Sequence, residues 1–466
     1  MFWPTLTACL TALGIVVIFL AILARPIVNL LVDRLTKRIF ADPYHENLLE
    51  MVNVLLKVGP MDLAELELRS ESGKPEKRPF GARRVLSPWN KFFFSPVYVA
   101  DTPLPADLSV DGRVVVGPRA AKPMRIELPI VVGGMAWGNA LSSRAKIALA
   151  RGTALVGTAT NTGSGPYLPA EREAAGLLIL QMTRGGWMRE PEILKRADMV
   201  EIMLGHGATG PAASTISRKE LEIDPELRAA LAGAAPKSGT VLPEGAGPGP
   251  LRELVAWIRE VTGGVPVGVK IGATGRLEAE LAAILQAEPD VIAISGAEGG
   301  THGLGTALHD DTGLPTLYAL CRADRFLRQA GVRGHVSLVA GGGIHQPGVI
   351  LKALALGADA VILGTAALLA IAHAQVEKVT PFEPPTELLF HRGRRAGSFD
   401  PDKGAEYLAR FLRSCAAEMN QIAQTLGRAR LRDVSRADLC CLDRDLAVLA
   451  GVRWAGRPSG ATRDKG

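Results

Sequence analysis

From residue 126 onward the chain alternates short apolar runs with longer helix-like stretches. Eight runs recur: "IELPIVVGGM", "TALVGTATN", "GLLILQMTRG", "DMVEIMLGHG", "PVGVKIGA", "DVIAISGAEGG", "VSLVAGGGI" and "DAVILGTA". Each has glycine, asparagine or another small polar residue among its last three positions. The runs are apolar on both faces, as parallel strands covered by helices are. Such alternation predicts a parallel sheet with helical crossovers. Eight units over about 250 residues match a (β/α)8 barrel, so the expected class is α/β, a TIM barrel. The rival is a doubly wound open sheet, which normally opens with a GxGxxG turn after its first strand. Here "GGMAWGNA" stands at that place, and the glycine-rich turns concentrate late.

The pattern is different at the ends. Residues 6–24, "LTACLTALGIVVIFLAILA", carry no charge, and that length spans a hydrocarbon core as a helix. Trp3 precedes the run, and "MFWPT" lacks the basic region of a secretory signal. Arg25, Arg34, Lys37 and Arg38 follow it. By the positive-inside rule this predicts a single-pass anchor in the cell membrane with the rest of the chain cytoplasmic. A buried hydrophobic helix is the alternative. The next run, "IVNLLVDRLTKRIF", is amphipathic and basic and suits a membrane surface or a protein face. Pro26 is expected to end or kink the first helix.

The expected domains are therefore an anchor and basic helix over 1–41, a lead-in region over 42–125, the barrel over 126–375, a C-terminal helical extension over 376–455 and a disordered tail over 456–466. The lead-in holds two β-like runs, "PVYVA" and "RVVVG". An insertion at 216–250, rich in Gly, Pro and Ala, reads as either a lid or a tolerated surface loop.

Composition narrows the function classes. The chain has 466 residues, 47% hydrophobic and 21% charged, which suffices for a large core. Aromatics at 5% are too scarce for a base-stacking platform. The net charge of +6 comes from scattered arginines, so a solvated surface is favoured over nucleic-acid binding. The five cysteines form no CxxC pair, which fits neither a zinc site nor a disulfide framework. "LHDD" at His309–Asp311 lacks a second ligand cluster and reads as loop, so no metal is expected.

The chemistry should lie where the strands end. The loops after strands seven and eight read "AGGGIHQPG" and "LGTAAL". Gly341, Gly342, Gly343, Gly364 and Thr365 offer bare backbone and a helix start, which suit a phosphate. Ser295, Gly299, Gly300 and Thr301 supply a third turn on the same rim. Lys270 ends strand five, and Gly268 two residues before it leaves interior room. The functional reading of Lys270 is a cation beside a cofactor that becomes negative on reduction, such as a flavin. Its bland reading is a lysine snorkelling to the rim. Met135, Ala136, Gly138, Asn161, Thr162, Gly163 and Gln181 add neutral groups able to read a flavin edge, although each alone reads as turn chemistry. Glu201, His206, Glu298 and His302 are strand-end candidates for acid–base work, with structural roles open for each.

In order, "GGMAWG", "TNTGSG", "EIMLGHGATGP", "VGVKIG", "ISGAEGGTHG", "AGGGIHQPG" and "GADAVILGTAALLA" resemble the FMN-binding synthase domain of glutamate synthase. The resemblance covers residues 125–451. It implies an FMN-holding barrel with Lys270 near the flavin ring and Gly341–Gly343 and Gly364–Thr365 about its phosphate. It also implies reduced flavin giving hydride to an imine of 2-oxoglutarate, forming glutamate, with an unidentified electron donor. Three departures stand against full equivalence. The family's iron–sulfur cysteines after "GTAAL" are missing, since no cysteine lies between Cys321 and Cys415. A glutaminase domain is not expected in this chain. Met203 and His206 stand where the family carries a lysine and a glutamine that help hold the dicarboxylate. Another small acid, another imine or a quinone is the competing substrate, and a flavin module without turnover is the third reading. At the turn after strand six, His302 and Gly303 stand where the family has Gly and Ala.

Overall fold

A computed structural model describes the chain except residues 1, 139, 183–189, 212–247, 301–303, 380–383 and 459–466. Two compact units result, Met1–Glu76 and Lys77–Gly466. In the first, one helix runs from Phe2 to Ala41 and continues through Pro26. The helix does not end at Pro26. Proline removes one hydrogen bond, but both flanking stretches are long, and a helix nucleated on either side propagates through it. The segment Leu10–Ala41 is long and apolar enough to cross a membrane, and none of its most apolar window is buried within the protein. Helices Leu49–Val58 and Pro60–Ser72 follow, joined by Gly59 at a φ of 86°.

The second unit is built on the eight predicted strands. Strand one is Ile130–Val132, two Ala159–Asn161, three Leu177–Met182, four Met199–Met203, five Val267–Gly272, six Val291–Ser295, seven Ser337–Gly341 and eight Ala360–Leu363. Each lies in one of the eight apolar runs. They form a single parallel sheet in the order one, eight, seven, six, five, four, three, two. No backbone ladder joins strands one and two among the described residues. The seam is bridged instead by the Thr158 hydroxyl, which donates to the Ile130 carbonyl.

Alternation along each strand decides what points inward. Val131, Ala159, Ile179, Met199, Val291, Ala293, Val339 and Ala360 form one apolar cluster inside the barrel. A hairpin of Val114–Val116 and Met124–Ile126 adds Val116, Met124 and Ile126 to that cluster. These cluster residues lie near the strand starts, so the hairpin closes that end and leaves the other open. Gly268 gives interior room as expected: a Cβ there would lie 2.5 Å from Met199 Cε.

The C-terminal helix Pro401–Thr425 packs on helix Ser143–Ala154, outside strands one and two. Leu408 and Leu412 are fully buried, each worth roughly 1.5–3 kcal/mol. Gly152 makes the approach possible, because a Cβ there would meet Leu408 Cβ at 2.9 Å and the Ala405 carbonyl at 3.0 Å.

Some of the remaining expectations need correction. The extension is not helical throughout. Leu439–Cys441 pairs antiparallel with Phe92–Phe94 and parallel with Arg453–Trp454. "RVVVG" does contain a strand, but "PVYVA" does not. Tyr98 and Val99 are 81% and 96% exposed, so no burial rewards pairing there. "LHDD" is the end of a short helix, Thr306–Asp311, rather than loop. Asp310 within it accepts from the Arg78 guanidinium at 2.7 Å and from the Arg83 backbone N–H at 3.0 Å. The insertion at 216–250 lies almost wholly outside the described residues.

Candidate active site

The open end of the barrel holds a cavity of about 1420 Å³. Its wall takes Met135 and Ala136 after strand one, Gln181 from strand three, Met203 and His206 at the end of strand four, and Lys270 from strand five. Ser295, Glu298, Gly299 and Gly300 come from the strand-six turn, Gly341–Gly343 from strand seven, and Gly364 and Thr365 from strand eight. Most of the predicted constellation therefore meets in one place. Gly138, Asn161, Thr162 and Gly163 do not line this cavity. Thr301, His302 and Gly303 lie outside the described residues.

Lys270 does not snorkel, since it is only 1% exposed. Its Nζ lies 3.7 Å from Oε1 of Glu201, itself 3% exposed. That same oxygen accepts from Asn161 Nδ2 at 3.0 Å and from Gln181 Nε2 at 2.6 Å. Register explains the meeting. Gln181 sits beside Glu201 across one ladder, and Met203 sits beside Lys270 across the next. Both carboxylate and ammonium thus keep partners away from water, as buried charges require.

A second buried pair supports this layer from behind. Lys146 Nζ lies 2.8 Å from Glu171 Oε1, with side chains 0% and 2% exposed. The ammonium also donates to the carbonyls of Asn161 at 2.9 Å and Thr162 at 3.2 Å. Burial pushes the Glu171 carboxyl up, while the Lys146 charge opposes it. Asn161 Oδ1 accepts from the Gly163 N–H at 2.9 Å, so this amide is used on both ends within the protein.

The glycines at strand six are bare for a reason sequence alone does not give. A Cβ on Gly296 would lie 2.1 Å from Thr316 Oγ1, and one on Gly300 would lie 2.5 Å from the Gly81 Cα. Chain passes against chain here, so much of the glycine requirement is packing. Gly342 and Gly343 have φ of 110° and 68°, and their N–H groups make no hydrogen bond to any described residue. The helix Thr365–Ala372 begins at Gly364 with no side-chain cap. Its first N–H groups have no intrahelical acceptor.

Glu298 is a clamp. Its Oε2 accepts from the Thr316 N–H at 2.8 Å and the Thr316 hydroxyl at 2.7 Å, and Oε1 accepts from the Ser87 hydroxyl. Ser87 in turn accepts from the Leu317 N–H at 3.1 Å. Such a carboxylate ties the glycine turn to a helix start and to the lead-in region, which suits it poorly to proton exchange. His206 Nε2 lies 3.3 Å from the Gly300 carbonyl, an acceptor only, so Nε2 carries the proton. Burial, and then the Lys270 charge, push its pKa down to about 3. At neutral pH His206 is an uncharged donor holding a turn rather than an acid.

The sign of its effect on stability follows. Above its ordinary value of 6.5 neither state is protonated at this ring, and between 6.5 and about 3 only the unfolded chain takes the proton. Stability therefore falls as pH drops through that window. The melting temperature of His206→Gln, followed by calorimetry, is expected to fall less than that of the wild type over this range. Parallel losses in both proteins would show that His206 already titrates normally.

Sequence reasoning missed the wall formed by residues 80–90, much of which lines the cavity from the lead-in side. It carries no catalytic motif, and only long-range contacts bring it there. Glu201 was visible as one acid in the buried run "MVEIM", with nothing to show which residues hold it.

Residues 103–429 match the conserved region in glutamate synthase. The chain belongs to the glutamate synthase family. As a member, it is an oxidoreductase enzyme of that type. The glutamate synthase large subunit-like protein of Rhizobium meliloti (strain 1021) is 31% identical over 414 residues, covering 84% of this chain and 93% of that protein. The archaeal-type glutamate synthase (NADPH) of Thermotoga neapolitana is 32% identical over 319 residues, covering 68% of this chain but 63% of that protein. Among solved structures, the flavin-binding domain of baker's yeast flavocytochrome b2 aligns with a TM-score of 0.51 at 17% identity, covering 86% of each chain. A lactate oxidase of Pediococcus acidilactici aligns at 0.50 and 15% identity, covering 76% of this chain and 85% of that one. Identities this low speak for the barrel fold alone.

Proposed function

We propose that this glutamate synthase family member is an FMN-dependent oxidoreductase that reduces an imine derived from 2-oxoglutarate to glutamate. The observation that carries the reading is a buried ammonium, Lys270, in the wall of a cavity whose rim offers N–H groups with no acceptor among the described residues. The residues fit FMN on the chemistry of their donors. Gly342, Gly343 and the uncapped start of Thr365–Ala372 suit a phosphate. Met135, Ala136 and Ile362 offer apolar wall for a ring. Bound FMN supplies the hydride equivalent that the protein's own side chains lack. Lys270 would then stabilise negative charge gained by the bound group, as a fixed cation in a dry site does. His206 and Glu298 hold the strand-six turn in the cavity wall.

A second substrate reading has its own support. Met203 lines the cavity beside Lys270 and brings no charge for a second carboxylate. A smaller monoacid imine, or a quinone, is the alternative acceptor. The apolar Leu10–Ala41 segment supports attachment to the cytoplasmic face of a membrane, with the basic residues that follow the uncharged run on the inner side. The absorbance spectrum of detergent-solubilised protein, with identification of the released cofactor, tests the FMN reading. Flavin bands and free FMN after denaturation are expected; a colourless protein that takes up no added FMN would falsify it. Glutamate formation from 2-oxoglutarate, ammonia and a chemical reductant then separates the 2-oxoglutarate reading from its alternatives.

A further inference from the structure

The geometry points to Glu201 as the positioning residue that counterbalances the charge and fixes the direction of Lys270, a role that rests on the FMN reading above. Three observations carry it. Glu201 Oε1 is taken by two amides, at 3.0 Å from Asn161 and 2.6 Å from Gln181, while Lys270 Nζ stays 3.7 Å away. A direct charge-assisted pair closes to about 2.7–2.9 Å. The amides therefore hold the carboxylate back, and the ammonium gains a counter-charge without spending its N–H donors on it. Those donors belong to a side chain in the cavity wall.

The holder is itself fixed. Asn161 is anchored through its carbonyl by Lys146 at 2.9 Å and through Oδ1 by the Gly163 N–H at 2.9 Å. The Gln181 backbone N–H donates to Thr162 Oγ1 at 3.0 Å. A polar chain thus runs from Glu171 and Lys146, behind strand two, through Asn161 to Glu201 and Lys270. Each group in it is almost fully buried, so losing one member leaves its polar neighbours short of a partner.

The consequence is a coupling readable in the flavin midpoint potential. Removing the Glu201 charge leaves the Lys270 charge uncompensated and favours the reduced, more negative flavin. Glu201→Gln is expected to raise the potential in the wild-type background. In the Lys270→Met background the rise is expected to be much smaller, because the side chain through which Glu201 acts is gone. This double-mutant cycle on holoprotein, by spectroelectrochemical titration, reads the link directly. Equal shifts in both backgrounds, or no shift in either, would overturn the inference while leaving FMN binding intact. A wild-type protein without flavin would instead remove the FMN reading and this inference with it. If Glu201→Gln does not accumulate folded, Gln181→Met reads the same link. It frees Oε1 to close on Lys270, and the potential is expected to fall; an unchanged potential there counts against the inference.

Discussion

Lys270→Met is expected to cost both activity and stability. Removing one preorganised electrostatic group from a water-poor site typically slows turnover by about 10²–10³. The measurement is the steady-state rate of glutamate formation, or of whichever imine the wild type reduces, with a chemical reductant. The stability effect has a separate cause. Glu201 is 3% exposed, and its cation lies 3.7 Å away. Deleting one member of a buried pair costs about 3–5 kcal/mol, because the other is stranded. Denaturant or thermal unfolding is expected to show that loss, and Lys270→Met/Glu201→Gln is expected to recover much of it. If the single variant melts with the wild type and turns over at its rate, Lys270 is neither paired nor catalytic.

The second large effect is expected at Gly163. Its φ is 71°, in the left-handed region. A Cβ there would lie 2.5 Å from the Met135 carbonyl carbon and 2.6 Å from the Ala136 nitrogen. Those are backbone atoms of the cavity wall, so no side-chain rotation relieves the contact. Left-handed backbone alone costs an alanine roughly 1–2 kcal/mol, and the clash adds to it. Gly163→Ala is expected to lose folded yield and flavin content together, read by unfolding and by the absorbance ratio of ring to protein. Gly348→Ala is the control, since nothing stands within 4 Å of a Cβ there and the site is helical. Equal behaviour of the two variants would show that the turn after strand two yields easily.

Much of this was legible in one dimension. All eight strands fall inside apolar runs, because a parallel strand covered on both faces must be apolar at nearly every position. The glycine turns at 341–343 and 364–365 were visible because a strand-to-helix turn at a barrel mouth needs bare backbone. Lys270 was visible because a lysine inside "VGVKIG" is out of place unless it meets an anion. The failures also share a cause. "PVYVA" has strand composition but no face to bury, and the glycines of "ISGAEGG" answer to Thr316 and Gly81, far away in the chain. Proton-transfer roles for His206 and Glu298 were plausible by residue type. The distances commit both to holding turns.

By itself, the sequence determined where the eight strands lie, that they run parallel, and which ends carry glycine. Those follow from local rules of burial and backbone freedom, which act within a few residues. Only the tertiary structure decided which inward side chains share a layer. Glu201 meets Lys270, Asn161 and Gln181 because strand register and barrel closure set that layer, and a shift of one residue would turn each to the opposite face. Likewise, only closure brought residues 80–90 to the cavity wall through Ser87 and Glu298. Contacts of that range leave no periodic trace in the chain, because their energy depends on partners more than two hundred residues away.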